Sequence, residues 1–393
     1  MRIAILHTHA LYWMGGIKFI FEIAKRLKEI CDVDIYVHQS GALAQHRFQE
    51  IGCPLTNLSH VSSYSKKYWL LFPYYLRDDV KALQKVANKY DVFLSTYFPM
   101  NWVATRLGKR AIYFCYEPFV WFHDPAALRN MSPFMKLLIL GASPFYKHYD
   151  LEGARRSECV LTLSNFIASR IDNIYGVEAI VAGEGVDTQL FAKKHHPELE
   201  KRYKGNKIIL HSTSYSYIKR TPSLIEALPL IKQEVPQVRL LIMSTYDDKQ
   251  AKNRLIERAR QLDVYENIEF LPFLEEEMLP YYYSLADVVA QPSFNEAASL
   301  PIKEAMACGT PVIGSYEDGS KEDIGNSECG FLIHSGDVNE LAKYITILLR
   351  DEKLAARMGE CGRQRVLETF SWDKVVDVIW QAISAEKNSK HLR

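Results

Sequence analysis

Between Asp287 and Gly314 the sequence marks out a strand, a loop, a helix and a second strand, the unit from which parallel sheets are built. Asp287-Val-Val-Ala290 and Pro311-Val-Ile313 are short apolar runs of the buried-strand type. Ser299 suits the N-cap of the intervening helix, and Pro301 its first turn, where a missing N–H is no loss. Gly309 suits the position past its end, where positive φ is wanted. Such a helix opens toward the carboxyl edge of the sheet, where doubly wound folds bind ligands. Its free N–H groups and dipole favour an anion such as phosphate. Two carboxylates flank that seat: Glu296 before the helix and Glu304 on its second turn. Carboxylates accept hydrogen bonds from hydroxyls, so a phosphate seat bordered by both suits a sugar nucleotide.

The same alternation runs along the whole chain in two series. In the first, strands are expected at Arg2–His7, Val33–Val37, Asp91–Thr96, Ala111–Cys115 and Cys159–Ser164. Ile17–Ile30 reads as an amphipathic helix with Ile17, Ile20, Phe21, Ala24 and Leu27 on one face. Met14-Gly15-Gly16 forms the loop before it, and Asn165–Tyr175 reads as a helix closed by Gly176. In the second, strands are expected at Ile208–His211, Val238–Met243, Asn267–Phe270, Asp287–Ala290 and Pro311–Ile313. Helices are expected at Pro222–Glu234, Lys249–Gln261, Glu275–Leu285 and Leu300–Cys308, and Asp337-Val-Asn-Glu340 resembles a capping box for a helix to about Leu349. Two doubly wound α/β domains follow. The turn-rich Gly183-Glu-Gly-Val-Asp187 suits the crossing between them, and the polar tail after Ala385 is expected to fray.

At 393 residues there is length for two domains with proper cores. Forty-eight basic against forty-seven acidic residues argue against nucleic-acid binding through an overall basic surface. The seven cysteines (31, 53, 115, 159, 308, 329, 361) show no CxxC pairing or zinc spacing, which fits reduced thiols in a cytoplasmic protein. Met1-Arg-Ile-Ala-Ile-Leu6 is too short for a secretion signal, and no apolar run approaches the roughly 18 residues of a membrane span. Met131–Tyr149 mixes Phe134, Met135, Leu137, Leu138, Ile139 and Phe145 with Lys136, Lys147 and His148. It reads either as an interfacial helix making peripheral membrane contact or as a helix buried against its own domain.

The Glu296–Glu304 stretch, with its Glu-Ala-Met-Ala-Cys-Gly-Thr-Pro-Val tail, resembles the signature of the retaining glycosyltransferases of family four (glycosyl transferases group 1). The resemblance continues through Gly15-Gly16, Ser164-Asn-Phe166, Gly185-Val-Asp187, Lys219-Arg220, Asp318-Gly-Ser-Lys-Glu322, Gly330-Phe-Leu-Ile333 and Phe370-Ser-Trp-Asp373. It implies the GT-B fold: two Rossmann-like domains facing across a cleft, an acceptor-side domain over 1–183 and a nucleotide-sugar domain over 184–371. A last helix, 372–393, would cross back to the first domain. It also implies a nucleotide diphosphate sugar as donor substrate, transfer with retention to an acceptor hydroxyl, and no cofactor or metal.

Position by position, the resemblance assigns Glu304 to the ribose hydroxyls and Glu296 to the donor sugar, where it supports charge at the anomeric centre. The backbone at Ser299 and Leu300 would meet the diphosphate and sugar, and Lys219 would pair with the diphosphate. Gly16 would let the backbone approach the ligand closely, although a plain turn glycine reads equally well. The base would lie near Phe270–Phe273, which brings in Phe273. Relatives carry an Arg about five positions before the lysine; Ser214 stands there, and Arg220 is the available substitute. Relatives also carry a His after the strand matching Ala111–Cys115. Tyr116-Glu117 stand there, so the role passes to His123 or is absent, with Tyr116 and Glu117 on the acceptor side. His7 and His9 lack a third ligand at metal spacing.

The departures at Ser214 and His123 support a rival expectation, a GT-B protein that binds a nucleotide or glycan without turnover. A dinucleotide-dependent oxidoreductase fails because Gly15-Gly16 does not give GxGxxG spacing. Donor sugar, base, acceptor and oligomeric state leave no trace in residue identity.

Overall fold

The computed structural model describes all residues except 14, 59–60, 62–64, 125–127, 129–132, 245–247 and 386–393. Met14 of the first loop, residues 131–132 of the 131–149 segment and the tail after Ala385 therefore lie outside the described residues. The chain divides into two units, Met1–Gly183 joined by the helix Trp372–Ser384, and Glu184–Ser371.

The first unit is built on seven parallel strands: β1 (Arg2–Ala10), β2 (Asp32–Ser40), β3 (Leu55–Asn57), β4 (Val92–Ser95), β5 (Arg110–Cys115), β6 (Cys159–Thr162) and β7 (Ala179–Val181), in the order β3-β2-β1-β4-β5-β6-β7. Alternation along β1 explains its two cores. Ile3 and Ile5 join the cluster containing Ile20, Ile23 and the last helix, whereas Ala4 and Leu6 join an aromatic cluster containing Tyr68, Trp69, Phe72 and Phe98. The helix Trp372–Ser384 packs on the helix Gly15–Leu27, with the Trp372 and Phe19 rings 5.4 Å apart. Arg110 donates to the carbonyls of Ala382 (3.1 Å) and Ile383 (2.6 Å), satisfying groups that the helix end leaves open.

The second unit has six parallel strands: β8 (Lys207–Thr213), β9 (Val238–Ser244), β10 (Ile268–Phe270), β11 (Val288–Ala290), β12 (Val312–Ser315) and β13 (Gly330–Ile333), ordered β10-β9-β8-β11-β12-β13. Here too successive residues feed opposite faces: Ile209, Leu240 and Ile242 on one, Ile208, Leu210 and Leu241 on the other.

Several elements depart from expectation for local reasons. Gly15 and Gly16 form the first turn of the helix Gly15–Leu27 instead of a loop before it. The helix expected over Glu275–Leu285 is a 3-10 turn, Glu276–Met278, followed by Leu279–Leu285; Pro280 lacks the N–H needed to continue from the preceding turn. At Val338–Arg350 only half of the capping box forms. Asp337 accepts from the Glu340 N–H at 2.9 Å, while Glu340 accepts from the N–H of His334 at 2.7 Å. The expectation of all-reduced cysteines is corrected: Cys329 and Cys361 form a disulfide. The start of β13 passes the helix Glu352–Thr369 with the two Cα atoms 4.8 Å apart, a proximity that a separation of 32 residues does not reveal.

Candidate functional site

In the second sheet the strand order reverses between β8 and β11, so the loops leaving these strands diverge and open a crevice at their carboxyl ends. Both loops carry charge. After β8 the chain makes a 3-10 turn, Tyr217–Lys219, and enters the helix Thr221–Glu234 through Arg220 in the left-handed region (φ 50°). After β11, Asn295 is also left-handed (φ 62°) and turns the chain at Glu296. Lys219 and Glu296 form an ion pair, both side chains largely buried. The backbone holds the two loops together, with the Phe294 N–H donating to Ile218 O at 2.8 Å.

Glu296 is fixed from its other side by the loop after β12. The Gly319 N–H donates to Glu296 O at 2.9 Å. A Cβ on Gly319 would lie 2.3 Å from Ala297 O, so only glycine allows this approach. Asp318, beside it, is buried and accepts from the Ser320 N–H at 2.8 Å. Burial, and then the negative charge of Glu296, push Asp318 up to about 8, so it holds a proton at neutral pH. Glu296 Oε2, Ser293 Oγ, Ser299 Oγ and Arg220 Nε are buried with no hydrogen-bond partner among the described residues. Polar atoms buried in this way are costly unless a ligand or water completes them.

The helix Leu300–Ala307 begins where the spacing predicts, with Ser299 at the N-cap, Pro301 in the first turn and Gly309 at φ 77° past its end. Two details differ. The Ser299 hydroxyl makes no cap, and the Ser299 N–H donates to Asp323 Oδ2 at 2.8 Å, so that amide is withdrawn from any phosphate. Asp323 in turn meets Lys303, which is buried against Asp323 (3.2 Å) and Glu184 (3.0 Å). Burial opposes the charge on Lys303, but its two carboxylates outweigh that and raise it. Glu304 is buried on the second turn and accepts the Tyr283 hydroxyl at 2.7 Å, which orients it.

The remaining predicted residues separate into groups. Ser214 occupies the place of the expected Arg, and its hydroxyl donates to Ser216 at 3.1 Å. The Arg220 guanidinium lies 5.5 Å above the Phe294 ring. Phe273 is 64% exposed beyond the edge strand β10. In the first unit, at the β1/β4 reversal, the Tyr116 hydroxyl donates to Gly16 O at 3.2 Å, and Glu117 follows half-buried. Gly16 has ordinary helical backbone and ordinary room for a Cβ (3.4 Å from Tyr116), so no tight turn demands glycine there.

His123 requires correction. Its imidazole is 1% exposed, 2.8 Å from Asp150 Oδ2, an oxygen that also accepts the Tyr175 hydroxyl at 2.8 Å. Asn101 holds the other carboxylate oxygen at 3.2 Å. This buried knot ties helices together and leaves His123 no face for a ligand.

Among the described residues no group of three or more His, Cys, Asp or Glu is placed to hold a metal ion. His7 donates from Nδ1 to Thr96 Oγ1 (2.8 Å), whose hydroxyl donates on to Leu6 O. Burial lowers His7 well below its ordinary value and His9 to about 4, so both are neutral.

Two site residues escaped the sequence reading. His211, at the end of β8, donates from Nδ1 to Ala290 O (2.9 Å) and receives Thr221 Oγ1 at Nε2 (3.0 Å), stitching β8, β11 and the helix Thr221–Glu234 together under the crevice. Burial lowers it to about 3. A polar residue closing an apolar strand was the available signal. Asp318 lay inside a stretch singled out by resemblance, but nothing in residue identity placed it against Glu296.

Residues 192–365 match the family model described as Glycosyl transferases group 1. That segment, most of the second unit, is similar to the family. Among similar proteins, the N-acetyl-alpha-D-glucosaminyl L-malate synthase of Bacillus anthracis is 25% identical over 65% of this chain and 68% of its own length. The MMP alpha-(1->4)-mannosyltransferase of Mycolicibacterium hassiacum is 31% identical over 56% of this chain and 53% of its own. The chain thus spans between about half and two thirds of these curated relatives. In fold it matches Anabaena Alr3699/HepE in complex with UDP (TM-score 0.80, 19% identity, 98% of this chain and 100% of that one). It also matches the sucrose-phosphate synthase of Thermosynechococcus elongatus (TM-score 0.75, 20% identity, 97% and 98%). The fold is GT-B.

Proposed function

We propose that this chain is a group 1 glycosyltransferase that moves a sugar from a nucleotide diphosphate sugar to an acceptor hydroxyl with retained anomeric configuration. The observation that carries the reading is the Lys219–Glu296 pair at the β8/β11 reversal, beside the opening of the helix Leu300–Ala307. In this reading the diphosphate takes Lys219, with the Leu300 backbone beside it and Arg220 adding the charge that Ser214 cannot. Lys219 exchanges its carboxylate for phosphate, which frees Glu296 to support positive charge at the anomeric carbon. Glu304, oriented by Tyr283, accepts from the ribose, and Phe273 borders the base. The bond from the anomeric carbon to the phosphate oxygen breaks while the acceptor oxygen adds on the same face. The acceptor's proton passes to the departing phosphate.

Side-chain cations offset the leaving charge in this scheme, which supports a metal-independent reaction. Tyr116, Glu117 and Gly16 belong to the acceptor side. The names of the relatives support a glycosyl donor without choosing among sugars. Five free thiols and a nucleotide-activated donor favour the cytoplasm as the site of action.

The test is a thermal-shift screen against UDP, GDP, ADP and their sugars, followed by NMR of the product's anomeric proton. Stabilisation by at least one nucleotide and a retained anomeric coupling support the reading. Nucleotide stabilisation with no turnover across a broad acceptor panel would favour the rival, a binding protein; no stabilisation by any nucleotide contradicts both.

A further inference from the structure

Two stretches of the first unit contain no acidic residue, 51–77 and 125–149, in a chain that carries 47 acids over 393 residues. The structure brings helices from both together. Tyr146, on the helix Pro133–Arg156, donates its hydroxyl to Trp69 O at 3.0 Å, and its ring lies 4.7 Å from that of Phe72. Trp69 and Phe72 belong to the helices Lys66–Leu70 and Phe72–Gln84.

The inner sides of these helices are satisfied by that packing, but their outer sides are not polar. Leu137 is 73% and Phe145 72% exposed on the long helix, with Leu140 exposed between them. Leu70 and Tyr74 are exposed on the neighbouring pair. Exposed apolar side chains clustered on adjacent elements mark an interaction surface.

Lysine and arginine border this face: Lys136 and Lys147 share a helical stripe with Leu140, and Lys67 and Arg77 are exposed beside Leu70 and Tyr74. The acids further along the long helix are turned inward and engaged, Asp150 in the His123 knot and Glu152 by Arg106 and Trp102. On the neighbouring helix, Asp78 pairs with the Tyr74 hydroxyl at the margin.

We propose that this face docks on an anionic phospholipid bilayer, its apolar tips entering the headgroup boundary and its four basic side chains meeting lipid phosphates. The charge pattern decides for this occupant: apolar tips alone would suit a second copy of the chain, but a net positive rim on both copies would repel itself. Among the described residues no helix is long and apolar enough to cross a membrane, so the contact is lateral.

The test is flotation of the full chain with vesicles of phosphatidylcholine alone or mixed with phosphatidylglycerol, alongside sedimentation velocity without lipid. Binding is expected only to the anionic vesicles, weakened by salt. The pair Leu137→Glu with Phe145→Glu should reduce it at least about tenfold, and Lys136→Glu with Lys147→Glu comparably, since each basic residue near such a surface contributes about fivefold. Unchanged melting temperature and nucleotide affinity in both variants show that the fold and donor site persist. Equal binding to both vesicle types, none to either, full binding by the variants, or a dimer that these substitutions dissolve would each overturn the proposal.

Discussion

The two units share one topology and differ in what stands at the strand reversal. In the first sheet, the end of β1 presents His7 and His9, both neutral, beside Thr96 and Tyr116. In the second, the corresponding place holds the Lys219–Glu296 pair, with protonated Asp318 behind it and Lys303 clamped between Asp323 and Glu184. A doubly wound sheet supplies a crevice in either case. A handful of loop residues sets the two apart: fixed charges in the second suit a phosphorylated ligand, and neutral aromatic and imidazole groups in the first suit an uncharged one.

The largest effect that could break this contrast is at Lys219. Lys219→Ala should lower kcat by about 10²–10³-fold, as loss of a charge-stabilising donor does, and Glu296→Gln by about 10²-fold, in a steady-state assay. Turnover unchanged in both would remove the second unit's charged crevice from the chemistry. Next is His123→Ala, which should destabilise the fold by about 3 kcal/mol in a urea titration, by removing one of Asp150's three partners and leaving a buried cavity. Its kcat should stay within about twofold wherever it is folded, and a large kcat loss without destabilisation would return His123 to the reaction. Glu304→Gln is expected to weaken nucleotide binding about tenfold, roughly 1.4 kcal/mol, while affinity for an unattached sugar is unaffected.

The smallest effects concern pH, and their signs differ. Asp318 keeps its proton when folded up to about 8 but loses it near 3.8 when unfolded, so stability falls as pH rises through that window. Asp318→Asn, which keeps the acceptor for Ser320, should raise Tm at pH 8 by about 2–8 °C, for roughly 1–2 kcal/mol, and by little at pH 4. His9 takes up a proton near 6.5 when unfolded but only near 4 when folded, so stability falls as pH drops between those values. His9→Gln should flatten that acid limb in melting curves taken across pH 4–7. The same pH slope in both variants would show that the two reversals are not electrostatically distinct.

Much of the second unit was legible because its signals are local. Gly309 and Pro301 fix the helix they punctuate, and apolar runs such as Val238–Met243 are too short for anything but strands. Legibility failed where partners are distant in sequence. Nothing near Ser299 says that its amide is taken by Asp323, and nothing near Cys329 points to Cys361. In the first unit, His123 was a candidate only through its place after the strand Ala111–Cys115. Asp150, Tyr175 and Asn101, which bury it, come from three other helices. The aromatic helices Lys66–Leu70 and Phe72–Gln84 drew no strand or helix assignment at all, since Pro73 and clustered tyrosines obscure a 3.6-residue period.

The central claim is that charge at the second reversal, and not topology, makes the donor site. Isothermal titration of the full chain with UDP and with GDP, repeated on Lys219→Ala and on His7→Gln, tests it most directly. At least one nucleotide should bind, Lys219→Ala should weaken it about tenfold or more, and His7→Gln should leave it unchanged. Binding that survives Lys219→Ala intact, or that is lost with His7→Gln instead, would contradict it.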